Sequence, residues 1–276
     1  MSTRDWKEWG LLAIALALAA VYLFPLYWMY VTSLKNSTEI FANPPTFWPQ
    51  APVVDAFPMV WETRTMATYL SNSVIIAAGV TAITVILGSG CAYVLARYRN
   101  IWIDVGLFVV LMLQVLPASV MVTPLFVAFS QLGLLSFPRT AVVLAAAAKA
   151  MPFFVVLVRA TFMTVPRELE EAAMVDGASR AGAFFRIVLP LARNGILVCA
   201  ILTFMTAFGE YIYSKSIIQT PALQPASVGL STFVGPNSRD WSGIMAYAAI
   251  YVTPILAIFV LLQRRIVSGL TSGALK

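Results

Sequence analysis

The 276-residue chain has no histidine, only two cysteines and few charges, with Asp, Glu, Lys and Arg making up 11% of it. The missing histidine removes the commonest general base and the commonest metal ligand. Cys91 and Cys199 both fall inside apolar runs, so neither a disulfide nor a CxxC centre is indicated, and both read as small packing residues. The charge deficit restricts the fold most, because soluble domains carry about 25% charged residues. With 60% of the residues hydrophobic, too little polar surface remains to coat a soluble globule of this length. The chain therefore reads as an all-α integral membrane protein. No GxxxxGK[ST] phosphate loop occurs, which excludes a P-loop nucleotide site of its own. No catalytic set, metal-ligand cluster or basic stretch interleaved with aromatics stands out, which argues against an enzyme, a metal site and nucleic-acid binding.

What the chain does have is apolar runs of membrane-spanning length, about 20 residues each. They lie at about Leu11–Val31, Ser71–Leu95, Val105–Ala128, Ala141–Phe162, Ile196–Ile217 and Met245–Val267. The first is too long for a signal-peptide core and lacks a cleavage site, so it counts as a span. Between the first and second runs, Thr32–Thr68 holds Pro44, Pro45, Pro49, Pro52 and Pro58, a density that forbids a long helix. Trp48 and Trp61 in this stretch suit a membrane–water interface. Six spans place both termini on one side. With the termini inside, twelve of the 18 Lys and Arg residues are inside and five outside, which orients the chain by the positive-inside rule. Gly79, Gly88, Gly90, Ala92 and Ala96 give the second span a small-residue surface for close packing. Pro117 and Pro124 break the third span and Pro152 the fourth, as packing features or as openings for a path.

One long polar stretch falls on the inner side, Pro166–Pro190, "PRELEEAAMVDGASRAGAFFRIVLP". It reads as two short helices joined at Gly177. Pro166 suits a first turn, and Glu168, Glu170 and Glu171 sit near the positive end of the helix dipole. Gly177 is a natural stop. The second helix is expected from about Ser179 to Val188, closing at Pro190. Ala173 and Gly177 are four apart and leave a strip free of bulky side chains.

Glu171-Ala172-Ala173, three residues, Gly177, nine residues, then Ile187-Val188-Leu189-Pro190 resembles the EAA signature of ABC importer permease subunits. "PLYWMYVTSLK" at Pro25–Lys35, "SNSVIIA" at Ser71–Ala77, "AYVLARYR" at Ala92–Arg99 and the ending "QRRIVSGLTSGALK" extend the resemblance to carbohydrate-uptake permeases similar to the smaller maltose permease subunit. Two stretches depart from that pattern. Phe208-Gly209-Glu210-Tyr211 stands where Trp-Asn before an acid is commoner, and Arg193-Asn194 where proline is common.

The resemblance implies a type I importer fold with six transmembrane helices in a single permease domain, residues 1–276. Its core spans about 69–267, its cytoplasmic coupling-helix loop 165–192 and its C-terminal tail 268–276. It implies docking of a cytoplasmic ATPase through Glu171, Ala172, Ala173, Asp176, Gly177, Leu189 and Pro190. The partners implied are a second homologous permease, two ATPase subunits that carry ATP and Mg, an extracytoplasmic solute-binding protein, a sugar substrate and membrane lipids. The location implied is a bacterial inner membrane, with both termini cytoplasmic. Permeases for other solutes share the signature, and an ion-coupled secondary transporter is a rival of another class.

Two ionisable residues fall inside spans, where charge is costly and marks function by default. Lys149 lies about 13 Å and Glu210 about 10 Å from the outer ends of their spans, at 1.5 Å per residue. Three readings stay open: a Lys149–Glu210 ion pair pinning two helices, Lys149 facing a path for an anionic or polar substrate group, or Lys149 snorkelling outward. A lysine here is outside the family pattern. Tyr211, Tyr213, Tyr247 and Tyr251 are candidates to line a sugar path or to sit in an interfacial belt.

Overall fold

A computed structural model describes residues 3–63, 65–98, 100–232 and 240–271, with side-chain surroundings for 8–62, 65–98, 100–232 and 240–263. Arg64, Arg99, Arg239 and the last five residues of the C-terminal tail lie outside the described residues. Every regular element among the described residues is helical. Five helices are long and apolar enough to cross a membrane, six if one sharply bent pair counts as a span. The contacts divide the chain into two compact units, Met1–Ala67 with Gly229–Pro254 and Thr68–Val228 with Ile255–Lys276.

In the first unit, α1 (Thr3–Ser33) continues through Pro25. No residue in its most apolar window is buried, so its surface is left to lipid or to another chain. Tyr30 Oη lies 2.8 Å from Thr253 Oγ1 on the last helix, Trp241–Thr271. As the proline density requires, the following stretch is irregular, with only α2 (Ser37–Ile40) and α3 (Ala56–Thr63). It is nevertheless pinned at a few buried points. Lys35 is 2% exposed, its ammonium donates to the Thr46 carbonyl and it lies over the Trp28 ring. The buried Glu39 carboxylate accepts from Gln50 N and Thr46 Oγ1. The Gln50 N–H holds its pKa below the usual carboxylate value, against the opposing effect of burial.

The second unit is a helical bundle. It contains α4 (Met66–Arg97, all but its first two residues), α5 (Ile101–Leu113), α6 (Ala118–Gln131) and α7 (Pro138–Met163). The chain then runs through α8 (Arg167–Val175), α9 (Arg180–Ala183), α10 (Leu189–Phe208) and α11 (Ile212–Ile217). Its core joins Ala92 and Ala96 of α4 to Phe154, Val155, Val158 and Phe162 of α7 and to Ala192, Ile196 and Cys199 of α10. Small residues on α4 make this possible. A Cβ on Gly88 would come within 2.6 Å of the buried Phe154 ring.

The "SNSVIIA" stretch acts as a clamp. Asn72 Nδ2 donates to the carbonyls of Ala222 and Gln224, its Oδ1 accepts from Arg139 Nη1, and Ser73 Oγ accepts from Ala226 N.

Three expected elements are corrected. The third span, expected over Val105–Ala128 with breaks at Pro117 and Pro124, is two helices bent by 95° and parted at Pro117 alone. Pro117 disfavours helical geometry in the residue before it and stands at the N-cap of α6, while Pro124 stays within that helix. The helix expected to close at Pro190 does not close. A π-helical turn, Phe184–Val188, joins α9 to α10, with Leu189 N donating to Phe184 O, and one apolar segment runs from Arg180 to Phe208. The wider turn accommodates a proline that lacks an N–H and crowds the carbonyl four residues earlier. At the far end, the fifth span stops at Phe208 instead of Ile217, and Glu210 lies in the break before α11.

Gly88→Ala is expected to cost about 1–3 kcal/mol by overpacking, whereas Gly90→Ala, with nothing within 4 Å of its added Cβ, should be near neutral. Thermal unfolding in detergent measures both, and equal losses would contradict this packing.

Candidate functional site

Two places on the second unit combine polar groups with accessible space. The first is the elbow formed by α8 and α9. α8 begins at Arg167, so Pro166, expected in its first turn, is instead its N-cap. It ends in a left-handed turn. Gly177 has φ +91°, Gly177 N donates to Met174 O, and Ala178 N donates to Ala173 O. This paired exit is a Schellman motif and favours glycine at its positive-φ position. Ser179 then caps α9, its Oγ accepting from Gly182 N.

α8 is two-faced. Glu170 is buried, and Ala173 and Met174 are half-buried beside it. Glu171, Ala172 and Asp176 are exposed, with Val175 87% exposed. Among the remaining elbow residues singled out in the sequence, Gly177 and Pro190 are exposed and Leu189 is half-buried.

What holds the elbow is Glu170, one position before the triplet. Its Oε2 accepts from Arg97 Nε at 2.7 Å, and Tyr93 Oη donates to its Oε1. Arg97 Nη1 also donates to the carbonyls of Phe162 and Val165, and Arg167 Nη2 donates back to Arg97 O. Both charged side chains are largely withdrawn from solvent, at 13% and 9% exposure. Arg97 Nη2 is buried with no hydrogen-bond partner. Removing one member of such a buried pair costs about 3–5 kcal/mol, because the other charge is left uncompensated. Beneath the pair, the Tyr93, Phe162 and Phe184 rings lie 4.6–6.0 Å apart, edge-on or tilted. Glu170, Tyr93 and Arg97 were not singled out as site residues in the sequence. The one available signal was that "AYVLARYR" carries Tyr93 and Arg97 four apart, on one helix face.

The second place is a cavity of about 660 Å³ lined by α4, the break between α5 and α6, α6, α7, α10, the break before α11 and the start of α11 itself. The structure brings Lys149, Glu210 and Tyr211 together in its lining, with Gln114 and Ala118 from the bent α5–α6 pair. Tyr213 lines it too, although only 4% exposed. Tyr247 belongs to the first unit and is fully buried.

Lys149 and Glu210 do not form an ion pair. Glu210 caps α11, accepting from Tyr213 N at 2.7 Å, Ser214 N at 2.9 Å and Ser214 Oγ at 2.6 Å. Lys149 is exposed, and among the described residues its ammonium has no hydrogen-bond or ion-pair partner. Its carbonyl accepts from Gln114 Nε2 at 2.7 Å. No cluster of His, Cys, Asp or Glu able to hold a metal ion occurs among the described residues.

Apolar helices of membrane-crossing length, a two-faced polar elbow and a cavity lined by several helices are the features of an integral membrane protein with room for a solute. Residues 84–272 match the family described as binding-protein-dependent transport system inner membrane component, and the chain belongs to it. It is a multi-pass inner membrane protein. The sulfoquinovosyl glycerol transport system permease protein SmoH of Agrobacterium fabrum is 33% identical, over 92% of this chain and 89% of its own length. The trehalose/maltose transport system permease protein MalG of Thermococcus litoralis is 32% identical, over 95% and 94%. Among solved structures, the chain resembles one from a bacterial ABC transporter that imports the acidic polysaccharide alginate. The TM-score is 0.79 at 20% identity, covering 96% of this chain and 98% of that one, which shows the shared fold.

Gly177→Leu should destabilise the protein by about 1–3 kcal/mol, because a side chain is forced into positive-φ backbone, and Gly177→Asn should cost clearly less. Thermal unfolding of the purified variants checks this, and equal losses would contradict the left-handed exit.

Proposed function

We propose that the chain is a permease subunit of an ATP-driven carbohydrate importer, working by alternating access. The observation that carries this reading is the elbow itself. α8 turns Glu171, Ala172 and Val175 outward while Glu170 anchors its other face to the bundle. In such an importer a cytoplasmic ATPase subunit docks on that outward face. Closure of an ATPase dimer holding ATP and Mg pushes the elbow, and the push passes through Glu170 to α4 and through the π turn into α10. The helices then open outward to receive solute from an external binding protein, and relax inward after hydrolysis.

A second homologous permease completes the pathway, and the bare surface of α1 is available to it or to lipid. The positive-inside bias puts the elbow and both termini in the cytoplasm. Glu171 is placed to pair with a basic group of the ATPase, and Gly177 lets the two backbones approach. The named cargoes of the relatives include both an acidic and a neutral saccharide class, so kinship supports sugars without fixing their charge.

The test is co-expression with the importer's other subunits. Wild type should co-purify with an ATPase whose hydrolysis rises when loaded binding protein is added. Val175→Asp should insert into the membrane normally but lose the ATPase. Retention of the ATPase and of stimulated hydrolysis by Val175→Asp would remove α8 as the docking helix.

A further inference from the structure

We infer that Lys149 is a selectivity residue for an anionic group on the solute, so that the importer's substrate class is an acidic saccharide, carrying a carboxylate or sulfonate. The inference rests on the carbohydrate-importer reading and sharpens it.

Lys149 lies eleven residues into the 26-residue α7, about 17 Å along the helix at 1.5 Å per residue. A cation at that depth is expensive unless it is paired or faces water. The obvious internal partner is already committed. Glu210, the one carboxylate in the cavity lining, receives two backbone N–H groups and a hydroxyl, all from the first turn of α11. Those bonds fix Glu210 to its own segment and disperse its charge into backbone donors, away from the lysine. The other side chains of the lining are apolar or neutral, including Gln114, Thr203, Thr206 and Tyr211. Lys149 is thus the cavity's one cation, exposed and unpartnered among the described residues.

Its position is also fixed. Gln114 Nε2 holds the Lys149 carbonyl, tying this part of α7 to the 95° break between α5 and α6, which itself contributes Gln114 and Ala118 to the lining. Snorkelling to an outer surface is a weaker explanation, since the side chain lines the cavity together with Gln114, Glu210 and Tyr211. An ammonium held in a mostly apolar cavity binds a carboxylate or sulfonate oxygen through a charge-assisted hydrogen bond, stronger than any it could make to a sugar hydroxyl. Tyr211, 40% exposed in the same lining, offers a ring face to the sugar.

The complete importer in proteoliposomes, with its binding protein, tests this. Uptake is measured for a disaccharide ending in a hexuronate and for its neutral hexose counterpart, in wild type, Lys149→Gln and Lys149→Arg. The expected result is acidic uptake by wild type, and an acidic-to-neutral uptake ratio lowered about tenfold or more by Lys149→Gln, as for the loss of one charge-assisted bond. Lys149→Arg should keep most of the ratio.

An unchanged ratio in Lys149→Gln overturns the inference. So does a wild-type importer that moves only the neutral sugar, and that result leaves the carbohydrate reading standing. Failure of Lys149→Gln to assemble with the second permease also overturns it, by assigning the lysine a protein partner. A wild-type complex that hydrolyses ATP yet moves neither sugar removes the carbohydrate reading beneath it as well.

Discussion

The structure depends on one buried carboxylate. Glu170 is drawn under α8 by Arg97 and Tyr93, both on α4, and without it α8 would be a short helix on flexible joints. A helix of nine residues does not persist on its own in water. Its order comes from tertiary anchoring, and the anchor is electrostatic at its centre and aromatic beneath. The same guanidinium also takes the carbonyls at the end of α7, so one side chain fastens α4, α7 and α8 together. A surface helix fixed in this way can pass a push to the bundle, where a loosely hinged one would absorb it.

The second connection is covalent. The π turn at Phe184–Val188 lets α9 run into α10 without a break, despite Pro190. The elbow is therefore attached to the bundle by a buried ion pair on one side and a continuous helix on the other. The cavity lies in that same bundle, lined by α4, α7 and α10 among others. The elbow is thus attached to the same three helices that line the cavity.

Much of this was legible in the sequence, because membrane burial and backbone strain leave strong local marks. The apolar runs marked out five spans and a bent sixth, and Gly177 announced a left-handed exit that few other residues tolerate. Features that depend on distant partners were harder to read. Glu170 and Glu171 are adjacent identical residues, and only the position of Arg97, 73 residues away, decides which one turns inward. Pro190 signals a helix end by every local rule, and a single widened turn overrides it. Glu210 looked like a charge within a span because the apolar run continues past it, yet the helix stops at Phe208 and the carboxylate caps the next one. Lys149 was visible as an anomaly, but its lack of a partner becomes apparent only once Glu210 is seen to be occupied.

Hydrogen exchange on the Glu170→Ala variant tests the anchoring role of this carboxylate most directly. If Glu170 fastens the elbow, amides across Arg167–Val175 should exchange about a hundredfold faster or more than in the unaltered protein, while α7 and α10 stay protected. Unchanged protection across α8 in that variant would contradict the anchoring role of Glu170 and the transmission of force built upon it.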